Sequence, residues 1–259
     1  MSRNTRTYAV VNQKGGVGKT TTAVNLAACL AQAGQRVLLM DCDPQGNATT
    51  GLGIDKGVLQ GSLYEVLVEE TPIKSIIQHS VTVPGLDVAP ATLDLSGAEM
   101  EIYSQISRES VLKRAIKGIQ GEYDTILIDG PPSLGLLTLN ILTASDALII
   151  PIQCEFYALE GISQLMTIVD RVRGHLNPKL TLGMVVLTMH DERINVSRQV
   201  VSEVRGYFGD IVAETIVPRN IRLSEAPSFG QPISLYDSKS KGAAAYAELA
   251  KEVMALGKK

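Results

Sequence analysis

Asn12-Gln13-Lys14-Gly15-Gly16-Val17-Gly18-Lys19-Thr20-Thr21 is the stretch on which the reading of this chain turns. An apolar run, Tyr8-Ala9-Val10-Val11, precedes it, and Ala23 to Ala31, rich in helix formers, follows. A strand therefore feeds a glycine loop that opens a helix, the context in which backbone N–H groups converge on a phosphate. Glycines allow the tight turn, and the helix N-terminus adds partial positive charge. Lys19 supplies a full charge to terminal phosphates, and Thr20 offers a hydroxyl to Mg²⁺. The spacing is not that of the ordinary G-x-x-x-x-G-K-[ST] loop, because Gln13 stands where the first glycine belongs and a second lysine, Lys14, precedes Gly15-Gly16.

Around this loop, apolar strands alternate with helical patterns, which predicts an α/β fold: a twisted, mostly parallel sheet with helices on both faces. Strands are expected at 8–11, 36–41, 86–90, 124–129, 147–153, 180–189 and 211–217. Helices are expected at 134–144, 155–175, 195–207 and 241–256, with a broken helix over 96–120, short helices within 62–78 and a long glycine-bearing loop over 42–61. The 259 residues suffice for one domain, read here as residues 8–259 behind a flexible polar tail at 1–7.

Bulk properties narrow the classes. A hydrophobic content of 45% marks a globular chain, and a net charge of −3 argues against nucleic-acid binding by bulk charge alone. Cys29, Cys42 and Cys154 are scattered through apolar runs, which fits a reduced compartment and no cluster or disulfide framework. No signal-peptide core opens the chain, and no apolar run approaches the roughly 20 residues that span a bilayer.

Two acidic strand ends complete a candidate site. Asp41-Cys42-Asp43 ends one expected strand and Asp129 ends another. In parallel sheets ligands collect at the carboxyl ends of strands. One carboxylate there holds Mg²⁺ through its water shell, and another orients attacking water. Alternatively each Asp caps the segment that follows it.

With these residues in view, Lys14 to Thr21 resembles the deviant Walker A loop of the ParA/MinD ATPases. The segment Asp41-Cys42-Asp43-Pro44-Gln45-Gly46-Asn47-Ala48-Thr49 is similar to switch I of the ParA/Soj partition ATPases. Ile128 to Gly135 resembles their Walker B and switch II segment, and 151–161 and 218–228 resemble two further family stretches. The likeness runs from about residue 8 to residue 256. It implies a single-domain P-loop NTPase fold and an ATP hydrolase, weak alone, that uses ATP and Mg²⁺ and closes into an ATP-sandwich homodimer. Lys14 matches the signature lysine that reaches the partner's phosphates, and Lys19 the lysine acting within one subunit. Gly15, Gly16, Val17, Gly18, Thr20 and Thr21 match the phosphate loop. Asp43 matches the water-positioning residue beside the metal, Thr20 the direct Mg²⁺ ligand and Asp129 the Walker B acid. Pro218 and Asn220 match the adenine loop, though a strand-ending turn accounts for them equally.

The resemblance further implies non-specific DNA binding by the ATP dimer through Arg193 and Arg222, and release when a ParB-type partner stimulates hydrolysis. Such a protein is cytoplasmic and nucleoid-associated, serving chromosome or plasmid segregation. Residues 190–241 carry seven basic and seven acidic side chains, a tally that by itself describes a solvated face. Three other readings use the same scaffold. A MinD-like membrane switch needs an amphipathic anchor, and the closing helix is alanine-rich with Glu248 and Glu252. A metabolic enzyme, such as an ATP-dependent carboxylase resembling dethiobiotin synthetase, has no reason to keep Lys14 or the 218–228 segment, and a nitrogenase-type reductase needs paired cluster cysteines.

Overall fold

The computed structural model describes residues 5–156 and 158–257. Arg3 of the expected tail and Tyr157 of the expected 155–175 helix lie outside them.

Among the described residues seven strands form one sheet: β1 Arg6–Val10, β2 Val37–Asp41, β3 Gln78–His79, β4 Leu86–Ala89, β5 Thr125–Asp129, β6 Ala147–Gln153 and β7 Thr181–Thr188. Their order is β3-β4-β2-β5-β1-β6-β7, parallel throughout except for the short β3–β4 pair. Side chains alternate between two cores because successive strand residues face opposite ways. On one face Ala9, Leu38, Met40, Ile126, Ile128 and Ile150 are buried. They pack beneath α3 Leu63–Val68, α4 Leu95–Ile102, α5 Val111–Lys117, α6 Leu136–Ala144, α7 Ile162–His175 and α8 Asn195–Phe208. On the other face Val10, Leu39, Leu127, Ile149 and Val186 meet α1 Lys19–Gln32 and α11 Lys241–Leu256. Burial on both faces is why the strands read as unbroken apolar runs. Three short helices remain: α2 Asn47–Gly51, α9 Ile221–Glu225 and α10 Ile233–Tyr236.

β1 lies between β5 and β6, while its crossover through α1 leads to β2, beyond β5. The connections on the two sides of β1 thus run in opposite directions, and a crevice opens at the carboxyl end of β1. The glycine loop sits in that crevice.

Two expected elements differ. The helix expected over 155–175 begins at Ile162. The described residues before it form turns, with Glu155 N donating to Gln153 O at 2.8 Å and Ile162 N to Leu159 O at 3.1 Å. The buried stripe Ile162, Leu165, Val169 and Val172 marks where helical packing starts. The strand expected over 211–217 is a segment that touches β7 only at points. Ala213 N and Val217 N reach Val185 O and Leu187 O, but the amides of Glu214 and Thr215 donate to the Glu252 carboxylate on α11, each at 2.9 Å. An acid on the neighbouring helix thus takes the donors a ladder would have used. The 42–61 loop also holds α2 and a turn of 3₁₀-helix at Lys56–Val58, β3 was not anticipated, and β1 starts two residues earlier than read. The 96–120 helix divides into α4 and α5, with Ser107 between them at φ 54°.

Candidate nucleotide site

The loop's shape follows from its glycines and one asparagine. Gly16 and Gly18 adopt φ 74° and 87°, left-handed values that cost a side-chain-bearing residue. Gly18 stands just ahead of α1, whose first-turn amides therefore face the crevice. Asn12 pins the loop entrance: its Oδ1 accepts from Lys14 N at 3.0 Å and its Nδ2 donates to Pro151 O at 2.7 Å. Thr188 at the end of β7 donates to Val17 O at 2.8 Å. Lys19 is buried and arches back, its ammonium donating to Lys14 O at 3.0 Å. Lys14, by contrast, is half-buried, between Asn12 below and the exposed Gly15-Gly16 tip.

β1, β2 and β5 run in register, so Val10, Asp41 and Asp129 lie side by side. Asp129 and Asp43 act on Lys19, and Asp41 and Asp43 act in turn on Asp129. Asp129 is fully buried, and neither carboxylate oxygen has a well-formed hydrogen bond. Burial, then repulsion from Asp41, drives its acid strength far down, and the Thr20 hydroxyl and Lys19 offset only part of this. Lys19 is pushed below the usual lysine value by burial, with Asp129 and Asp43 acting in the opposite sense. Two orphaned buried oxygens facing a phosphate-type loop fit a hard divalent cation, which takes oxygen ligands. Thr20 and Asp129 would hold it, with Asp43 alongside.

Asp41 plays a different part. Its Oδ2 accepts from Thr49 N at 2.8 Å and Thr49 Oγ1 at 2.7 Å, and its Oδ1 accepts from Asp43 N at 3.3 Å. Thr49 Oγ1 in turn accepts from Ala91 N at 3.0 Å. Burial pushes Asp41 up to about 6, against these hydrogen bonds. It is the capping alternative realised: Asp41 clamps α2, so that Asp43 is held at the loop's edge with Gln45 N donating to its Oδ1.

On the far side of the loop, a cavity of about 210 Å³ is lined by Gly18, Thr21, Met189, Pro218, Asn220 and Tyr246, among others. Pro218 and Asn220 thus share a wall with the phosphate loop. Asn220 also caps α9, its Oδ1 accepting from Arg222 N at 2.9 Å. Asn12, Thr188, Met189 and Tyr246 were not singled out beforehand. Asn12 carried a signal in its place at the strand end, while the others enter only through the fold.

The two candidate DNA-contacting arginines lie outside this cavity. Arg193 is bidentate to Asp191, at 2.9 and 2.7 Å, rather than engaged by the adjacent Glu192. Arg222 donates to Glu225 at 2.8 Å and lies 3.6 Å from Asp237. Their side chains remain 89% and 54% exposed.

A glycine loop at a sheet's switch point, with acids from the neighbouring strand ends, defines the P-loop nucleotide-binding class of α/β proteins. Comparison with known proteins narrows this. The AAA domain family model matches residues 5–182. The sporulation initiation inhibitor protein Soj of Bacillus subtilis is 58% identical over 96% of this chain and 98% of its own length. The chromosome partitioning protein ParA of Myxococcus xanthus is 55% identical over 96% and 88% respectively. Among solved structures, one titled cobyrinic acid a,c-diamide synthase of Mycobacterium smegmatis, with bound ATP analogue and magnesium, superposes with TM-score 0.84 at 39% identity, covering 95% of this chain and 93% of that one. The chain belongs to the ParA/Soj family of chromosome-partitioning ATPases.

Proposed function

We propose that this chain is a ParA-type switch: it binds ATP with Mg²⁺, closes into a dimer around two nucleotides, holds DNA without sequence preference, and lets go when hydrolysis is stimulated by a ParB-type partner. The observation that carries the nucleotide reading is Asp129, a buried carboxylate with no well-formed hydrogen bond, beside Lys19 and Thr20. Thr20 and Asp129, with Asp43 alongside, would hold Mg²⁺, which when bound would offset phosphate charge.

The chain's own residues divide the remaining work. Amides of Gly15, Gly16, Val17, Gly18, Lys19, Thr20 and Thr21 cradle phosphates, and Lys19 neutralises them from within the subunit. Asp43, held at the loop's edge, orients the attacking water. Lys14 crosses to the partner's triphosphate, a cation supplied in trans as an arginine finger is, so closure depends on nucleotide. Pro218 and Asn220 flank adenine. Arg193 and Arg222 contact DNA phosphates by exchanging their intramolecular carboxylate partners for them. Hydrolysis is slow without the partner because its purpose is to reset an assembly.

Retention on DNA with ATP tests the reading. Wild type is expected to be retained and released by salt, Lys14→Ala not to be retained, and Arg222→Ala to bind more weakly, with a salt slope smaller by about two per dimer. Equal, salt-insensitive retention of all three, or none by any, contradicts it.

A MinD-like membrane switch is the second reading. The apolar face of α11 is already used: Tyr246, Leu249, Ala250 and Val253 are buried against the core, and the Tyr246 hydroxyl lies 3.2 Å from that of Thr22 on α1. No described helix is long and apolar enough to cross a membrane. ATP-dependent sedimentation with liposomes would reverse the ranking. The diamide synthase title of one structural relative raises amide synthesis on the same scaffold. Turnover of a carboxylic acid with ATP would favour that reading.

A further inference from the structure

The geometry points to Glu99, on α4, as the positioning residue for the loop that joins Asp129 to α6; its link to hydrolysis rests on the ATPase reading above. That loop, 130–135, starts from a fixed point, because Asp129 is in register between β1 and β2 and Gly130 N donates to Val10 O at 3.1 Å. Its far end runs into α6, preceded by Gly135, which has no side chain to cap the helix. The first-turn amides of α6 would go unpaired without outside help. Glu99 provides it from another helix: its Oε1 accepts from Leu137 N at 2.9 Å. A carboxylate at this end of a helix also meets the positive end of its dipole.

Gly135 supplies an independent sign of the same contact. Its φ of −85° and ψ of −163° are open to any residue, so the backbone does not require glycine there. What stands against a side chain there is Glu99. A Cβ at position 135 would fall 2.7 Å from Glu99 Oε2 and nearer still to Oε1. The carboxylate therefore rests directly on the Gly135 backbone, and the two residues are matched in shape.

The rest of α6 is anchored elsewhere. Asn140 accepts from Leu112 N at 3.2 Å and donates to Arg108 O at 2.8 Å; Thr138, in the first turn, donates to Ser133 O of the same loop at 2.6 Å. With α6 held at its middle, Glu99 fixes its first turn. The span between two fixed points contains Pro131-Pro132, which has little freedom of its own. Glu99 in this way sets where the residues after Asp129 stand relative to the phosphate loop, without touching nucleotide itself.

The test combines Glu99→Ala, Glu99→Gln, Gly135→Ala and the Glu99→Ala/Gly135→Ala double variant, with ATP hydrolysis and amide hydrogen exchange as separate readouts. Glu99→Ala is expected to lower kcat about tenfold with KM within about twofold, since positioning rather than ground-state binding is lost. Glu99→Gln, which keeps an acceptor, should recover most of the rate. Gly135→Ala should be impaired, and the double variant no worse than Glu99→Ala, because removing the carboxylate removes the clash. Exchange at Leu136–Thr138 should be faster in Glu99→Ala than in wild type, and this needs no turnover. Wild-type kcat in Glu99→Ala, no rescue by Gln, strictly additive losses in the double variant, or unchanged exchange would each overturn the assignment. A wild type that hydrolyses no ATP but shows the exchange difference would defeat the ATPase reading and leave the Glu99 contact standing.

Discussion

Asp129 shows most plainly how this site stores a cost in the protein alone. A buried carboxylate whose neighbours offset only part of its desolvation opposes folding whenever it is charged. Its acid strength is lowered by burial and by Asp41, so the folded state binds its proton more tightly than the unfolded chain does. Folding stability must then fall as pH rises above the ordinary carboxylate value of about 4. Asp41, pushed up to about 6, adds a loss of the same sign between about 4 and about 6. The expected outcome is that Asp129→Asn stabilises the nucleotide-free protein in EDTA at pH 7.5 by about 1–3 kcal/mol. The gain should be near zero at pH 4.5, where the wild-type group is already neutral. It should appear as a rise of roughly 2–4 °C in Tm per kcal/mol. The same variant should lose the stabilisation that Mg²⁺ and ATP give the wild type. Melting curves at the two pH values check both, and a variant less stable than wild type at pH 7.5 would contradict the burial cost assigned to Asp129. The acids of this site were legible as strand ends, but their division of labour was not. That Asp41 clamps Thr49 while Asp129 has no well-formed hydrogen bond depends on where α2 packs, eight residues away from Asp41.

Among elements, α11 reaches the cavity wall formed by Pro218 and Asn220 from the end of the described chain. Gly242 in its first turn presses on the 220–223 segment: a Cβ there would lie 3.0 Å from Leu223 Cγ and 3.2 Å from Asn220 Nδ2. Gly242→Val should displace Asn220 and weaken ATP binding about tenfold while leaving the phosphate loop intact, which titration with a fluorescent ATP analogue against a pyrophosphate competitor can measure. Equal affinity for ATP would mean that Asn220 does not hold the base. The ladder of strands was readable because parallel strands buried on both faces must be apolar throughout. The two misread elements share a cause. Over 155–161 the chain has enough helix formers, yet the fold needs a connection there, and Glu155 is drawn to Arg219 at 2.6 Å. Over 211–217 the alternation is that of a strand, yet Glu252, far along the sequence, takes two of its donors. Tertiary partners overrode local preference in both.

At the scale of the whole molecule, the account rests on two copies closing over two nucleotides. Among the described residues the Lys14 side chain has no hydrogen bond or ion pair, whereas Lys19 is buried and donates to the loop. On the proposed reading, Asp43 and Lys14 separate two steps, hydrolysis and closure. Asp43→Ala removes water positioning and leaves phosphate contacts, so it should hold the closed form longer, whereas Lys14→Ala should be unable to reach it. The measurement that tests this most directly is the mass in solution by light scattering, with and without ATP and Mg²⁺, for wild type and these two variants. The account predicts a nucleotide-dependent doubling for wild type, a persistent doubling for Asp43→Ala and a single-chain mass for Lys14→Ala. A wild type that stays single with ATP, or a Lys14→Ala variant that doubles as the wild type does, would contradict it.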